Sequence, residues 1–238
     1  MLSLLCCEIF RPEIELISRE TTELPEIHYL EPALHNIPDK LRSSVQNAID
    51  ALEKKHGDKL TIAVGYGLCG RGLCGVHAAH ATLVFPRVHD CISLLLGKAH
   101  TKEHALSREG AIYWSSPGML ESFQKELHLE YHKRFALFEE KFGMAKAIRL
   151  MNAEKALFKN YTCLGYIAWP EMDLRYTETA KQVAEDIAIP YMEYQGSSTF
   201  VRELLAGGQD KRKFIHLHPG QTIDMDMDGG IIAVPYRT

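Results

Sequence analysis

The residues best suited to chemistry in this sequence are its cysteines: Cys6, Cys7, Cys69, Cys74, Cys91 and Cys163. A thiolate binds zinc and iron and attacks electrophiles. Cys6 and Cys7 close a short apolar run, Cys69 lies in a glycine-rich stretch, and Cys91 directly follows His89 and Asp90. Cys69 has glycine amides beside it, and Cys91 falls in the first turn of an expected helix, where the dipole favours a thiolate. Three such sulfurs with one open position suit a catalytic zinc or an iron–sulfur cluster with one free iron. A metal-free reactive thiol and simple burial of small side chains stay open as alternatives. Burial is the expectation for Cys74, Cys163 and one of Cys6 and Cys7, because neighbours on a strand face opposite ways.

Proton carriers are expected beside these thiols. His89, His35 and Glu8 each stand near an expected strand end, and their side chains can move protons. Gly65-Tyr66-Gly67-Leu68-Cys69-Gly70 matches G-x-G-x-x-G, and Gly72 continues the run. Gly67, Gly70 and Gly72 would let the backbone approach an anionic ligand. A dinucleotide site also wants an acidic residue at the end of the next strand. That strand ends at Phe85-Pro86-Arg87, with no acid before Asp90. The run Asp224, Asp226, Asp228, Gly229 imitates a calcium loop but has Pro235 where the loop needs Glu.

The elements that must position these groups alternate in type. Apolar runs predict strands at Leu2–Phe10, Glu26–Leu30, Leu60–Gly65, Thr82–Pro86, Ala111–Ser115, Thr162–Trp169, Ile189–Tyr194, Phe214–Leu217 and Ile231–Pro235. Leu41, Val45, Ile49 and Leu52 mark a helix over Pro38–Lys55, with Asp39 as its expected cap. Asp90 is placed to cap a short helix over Asp90–Leu96, and Met119–Phe158 is helical apart from a break near Gly143. The alternation predicts an α/β fold of Rossmann type, a mainly parallel sheet with helices on both faces. The expected organisation is a first α/β half over 1–118 carrying the cysteine and glycine motifs, a helical insertion over 119–160, and a second α/β half over 161–238. Leu164-Gly165-Tyr166 echoes Val64-Gly65-Tyr66, which suggests that the halves are related. In a parallel sheet, strand ends gather at one edge, so distant cysteines could meet there.

Bulk composition narrows the function classes. The 238 residues carry a net charge of −4 and no basic block, which disfavours nucleic acid. The longest apolar runs fall far short of the roughly 20 residues a membrane helix needs. Met1–Phe10 lacks a basic start and is interrupted by Glu8, unlike a signal peptide. A reducing, cytoplasmic setting is expected, with the cysteines as thiols or ligands.

Tyr66-Gly67-Leu68-Cys69-Gly70 and Pro86-Arg87-Val88-His89-Asp90-Cys91-Ile92, with Leu34-His35-Asn36 upstream, resemble the motifs of a bacterial and archaeal family known only as a domain of unknown function. Leu94-Leu95-Leu96-Gly97 matches a further family segment, whereas Ser116-Pro117-Gly118-Met119 departs from its threonine–proline–glycine–tryptophan. Members often lie beside genes for corrinoid-dependent methyl transfer. The resemblance therefore implies one-carbon metabolism and supplies no established activity; a small-molecule substrate is expected, and in the accessory reading a corrinoid or methyltransferase protein as partner. The Asp-x-His-x-x-Gly motif of corrinoid carriers is missing, so the chain is not expected to be the carrier. The sequence leads to a metal- or cluster-dependent enzyme, with two alternatives: a metal-binding accessory protein, and a nucleotide-binding redox protein.

Overall fold

The computed structural model describes residues 1–21, 23–57, 59–97 and 111–236, of which 125–129 by their backbone only. The chain forms two compact units, one from Met1–His100 with Ser198–Thr238 and the other from Thr101–Ser197.

The first unit is built on a five-stranded sheet. Its strands are β1 (Leu2–Cys7), β2 (Glu26–Leu30), β3 (Thr61–Gly65), β4 (Thr82–Pro86) and β8 (Phe214–Leu217), in the order β2-β1-β3-β4-β8. The first four are parallel, and β8 runs antiparallel beside β4. Leu4, Leu5, Ile62, Ala63, Val64, Leu83 and Val84 are almost fully buried. Such continuous apolar runs are what a parallel sheet covered on both faces requires. β1 leads through α1 (Arg11–Ser18) to β2 on one side, and β2 leads through α2 (Pro38–His56) back across to β3. These crossovers travel in opposite directions, so right-handed connections put α1 and α2 on opposite faces. Leu4 and Cys6 face α1, α3 (Cys91–Leu96) and α7 (Thr199–Leu205); Phe10, just before α1, closes around them with Ile14, Leu94, Val201 and Leu204. A hairpin of β9 (Gln221–Met225) and β10 (Ile231–Pro235) completes the unit.

The caps follow the sequence in part. Asp90 caps α3 as expected, its Oδ1 accepting from Ser93 N at 3.1 Å. Asp39 does not cap α2. Ile37 holds the cap position with Pro38 behind it, and Asp39 lies in the first turn, where it accepts from Arg42 at 2.7 Å. Proline suits that first turn because its missing N–H would have no helical partner there.

The second unit has a parallel sheet β5-β6-β7, from Ala111–Ser115, Tyr161–Ala168 and Tyr191–Gln195. After β5 the chain passes through Pro117–Met119 and a π-helical turn, Leu120–Gln124, into α4 (Lys125–Phe142). Gly143, at φ +79°, breaks the helix before α5 (Met144–Lys155). α6 (Leu174–Ile187) joins β6 to β7, and its Tyr176, Ala180, Val183, Ala184 and Ile187 pack on Leu164 and Tyr166. The two sheets and their crossovers give the α/β, Rossmann-like architecture. No helix among the described residues is long and apolar enough to cross a membrane.

Candidate functional site

The order β2-β1-β3-β4 places a switch point between β1 and β3. The connection from β1 leaves toward β2 and the one from β3 leaves toward β4, and α/β folds bind ligands beyond the carboxyl ends of the strands at such a point. Cys7 ends β1, Tyr66 follows the end of β3, and Cys69 lies three residues further. Cys91 starts α3 after β4. Backbone bonds hold the two loops together: Leu68 N donates to Val88 O at 2.9 Å, and Cys69 N to His89 O at 2.8 Å. Gly67 permits this approach, because a β-carbon there would collide with the backbone of Asp90.

Cys7, Cys69 and Cys91 are thereby neighbours. Burial is the largest cause raising all three thiols. Cys69 is pushed up to about 12 by burial, then by Asp90 and Cys7, against one amide from Gly67. Cys91 rises well above the ordinary range through burial, then Cys69, Asp90 and Cys7. Its own amide, in the helix's first turn, works to lower it, but α3 is only six residues long and desolvation dominates. Burial also raises Cys7, opposed by the Ile9 and Glu8 amides and the Tyr66 hydroxyl.

Cys6 is turned away from this group. It lies on the opposite face, in an apolar gap of about 10 Å³ with Leu4, Phe10 and Gly65. Glu8 is engaged in a two-pronged ion pair with Arg11, whose guanidinium stands 4.0 Å over the Tyr29 ring. His89 is partly buried on the strand β4 side of Asp90, whereas His35 is exposed in a short turn of 3-10 helix, Leu34–Asn36. Gly70 adopts φ +63° with open space beside it, and Gly72 packs on Leu41 and Pro38. The loop runs through turns rather than into a helix, and the Leu68, Cys69, Gly72, Cys74 and Gly75 amides donate to protein carbonyls. Tyr66, 4% exposed, is the residue that the sequence alone did not single out. Its signal was its position, one residue past a strand end opposite Cys7.

Among the described residues, no three His, Cys, Asp or Glu side chains stand in a finished metal-binding arrangement. A cavity of about 550 Å³ lies at the opposite, amino edge of the sheet between Leu2, Thr61, Thr82, His216 and His218. It is open and distant from the thiols along the strands, so the thiol crevice carries the functional reading.

Fold and site together define a Rossmann-like α/β protein with a group of buried and partly buried thiols at its switch point. The chain belongs to the family described as "Protein of unknown function (DUF1638)", whose model matches residues 29–205. The matched span takes in Cys69 and Cys91 and begins after β1 and Cys7. No curated protein and no solved structure matches the chain.

Proposed function

We propose that this protein is a metal-dependent enzyme acting on a small molecule, with zinc or an iron–sulfur cluster held by Cys7, Cys69 and Cys91. The observation that carries the proposal is the meeting of three thiols, one buried and two partly buried, from three neighbouring strand ends at the switch point. The donor chemistry fits such a group. Sulfur is the preferred ligand of both, and the nearby charges of Asp90 and Glu8 favour a cation. The thiols are neighbours short of a finished coordination sphere, so loading is coupled to proton release and side-chain movement. A metal held by Cys7, Cys69 and Cys91 would supply Lewis-acid chemistry there. The protein contributes a desolvated crevice, and His89, beside Asp90, is the proposed proton carrier. The family resemblance extends the proposal to one-carbon or methyl-transfer metabolism, with a corrinoid or methyltransferase protein as partner.

Metal analysis and an absorption spectrum of anaerobically purified protein test this reading. One metal or cluster per chain is expected, lost in Cys69→Ser and Cys91→Ser. Absence of stoichiometric zinc and iron, together with failure to take up added Co²⁺ or Fe²⁺ with sulfide, overturns it.

One observation favours an accessory role as the second reading. The helical hairpin α4–α5 and the turn after it expose Leu137, Met144, Ile148 and Leu157 at 56%, 50%, 45% and 75%. Such residues suit a partner surface. Stable co-purification with a methyltransferase, without turnover of small molecules by the chain alone, would favour this role.

A further inference from the structure

At the amino edge of the five-stranded sheet, one row of residues crosses four strands. Leu2 pairs with Thr61, and Thr61 with Thr82. Leu83 pairs with Leu217, so the same register carried one step further sets His218 beside Thr82. Paired residues share a face, so this row lies on the face that holds Leu4 and Cys6. The next row on that face, Leu4, Ala63, Val84 and His216, ends on a second imidazole. α7 covers the face only in part. It stops at Leu205, and the chain turns away through Gly207 and Gly208, at φ +87° and +57°. A β-carbon on Gly208 would stand 2.7 Å from the Phe214 ring, so the turn requires glycine. Leu2, Thr61, Thr82 and His218 are left partly or fully exposed beneath it. They floor the cavity of about 550 Å³, with Gly207 and Gln209 in its wall. That volume is in the range of small-molecule sites.

No lysine, arginine, aspartate or glutamate is among the described residues that line the cavity. Its polar side chains are two hydroxyls, an amide and two imidazoles, each able both to donate and to accept. Neither threonine hydroxyl has a protein partner among the described residues. His216 is oriented by the glycine turn. Its Nε2 stands 2.9 Å from Gly208 O, which can only accept, so in the neutral ring Nε2 carries the proton and Nδ1 is left as an acceptor. We propose that this cavity binds a neutral, hydroxyl-rich small molecule such as a sugar or nucleoside, its hydroxyls exchanging hydrogen bonds with Thr61, Thr82 and His216 and its apolar side lying on Leu2. An ionic ligand would meet no side chain of fixed opposite charge there. The site is separate from the thiols and does not depend on the metal reading.

Histidine ring resonances of the full chain supply the readout. His216→Gln and His218→Gln identify the two relevant signals among the 12 histidines. Ribose, glucose and adenosine are titrated as neutral probes, acetate and inorganic phosphate as anions. A saturable movement of both signals is expected with at least one neutral probe, and none with the anions. Thr82→Val keeps a β-branched strand residue and exchanges only the hydroxyl for a methyl. It should weaken binding of that probe about fivefold, the scale of one hydrogen bond. If no neutral probe moves the two signals, or if only the anions do, the proposal is overturned. Unchanged affinity in both Thr61→Val and Thr82→Val overturns it as well.

Discussion

Gly67 and Asp90 are in backbone contact: a β-carbon on Gly67 would stand 2.5 Å from Asp90 Cα and 2.7 Å from its carbonyl carbon. This contact sets the spacing between the loop that carries Cys69 and the loop that carries Cys91. Gly67→Ala should force the loops apart and destabilise the protein by about 3 kcal/mol, the upper range for overpacking. Chemical denaturation measures the loss. Metal uptake at Cys69 and Cys91 should weaken in the same variant. A fully stable Gly67→Ala protein would show that the contact is not needed.

Cys6 and Cys7 are adjacent in sequence and opposite in surroundings. Cys6→Ala removes a sulfur packed among Leu4, Phe10 and Leu204 and should cost about 1–2 kcal/mol in stability. Metal binding should be unchanged. Cys7→Ala should lose metal content and, because Cys7 is also buried, cost a similar amount of stability. Metal analysis and urea melts on the pair decide the assignment, and metal loss in Cys6→Ala would refute it.

The metal-free protein should lose stability in alkali. Burial, then Asp90, pushes Cys69 up to about 12, while a thiol in the unfolded chain titrates near about 8.5. Above that lower value the unfolded chain gives up protons that the folded chain retains. Stability is therefore fully present below about pH 8.5 and declines as pH rises toward the folded value, by up to about 1.4 kcal/mol per pH unit for each such thiol. Urea melts between pH 7.5 and 10, made with a chelator present, should show the decline. Cys69→Ala should reduce its slope, and an unchanged slope would count against the shift.

Glu53, on α2, accepts from the backbone amides of Ala79, His80 and Ala81 at 3.2, 2.7 and 2.7 Å, fixing the turn that feeds β4. Burial works to raise its pKa, but the three amides outweigh it and hold the carboxyl below the ordinary range. A lowered carboxyl pKa contributes stability above the unfolded value of about 4.3, which is lost as pH falls through the folded value. Glu53→Gln should cost about 1–2 kcal/mol at pH 7, for hydrogen bonds to a charged acceptor. The difference from wild type should shrink in acid. Thermal melts at pH 7 and pH 3.5 test both statements.

Much of the first sheet was legible from local pattern. Leu60–Gly65 and Thr82–Pro86 are short apolar runs that only a sheet covered on both sides can bury, and Asp90 stands at a cap position before apolar residues. The place of Phe214–Leu217 was not legible. Its pairing with β4 joins residues more than a hundred positions apart, and four apolar-rich residues carry no record of partner or direction. The thiol site was half legible. Strand ends at one sheet edge predicted that Cys69, Cys91 and one of the first pair could meet, but which of Cys6 and Cys7 faces them depends on the phase of β1. Tyr66 escaped notice because its place opposite Cys7 comes from register across β1 and β3. The Cys91 thiol also ran against its helix position, because desolvation is a property of the assembled fold.

The return of the chain to its first sheet has a consequence for biogenesis. β8 can pair with β4 only after the ribosome has made the whole 101–197 unit, which is a single continuous stretch. The newer unit can thus fold while the older sheet still has one bare flank. An unpaired strand flank recruits other strands. The interval between synthesis of β4 and of β8 is therefore when the nascent chain is most exposed to mispairing, and slowed translation across 101–197 should increase aggregation even though the finished protein is unchanged.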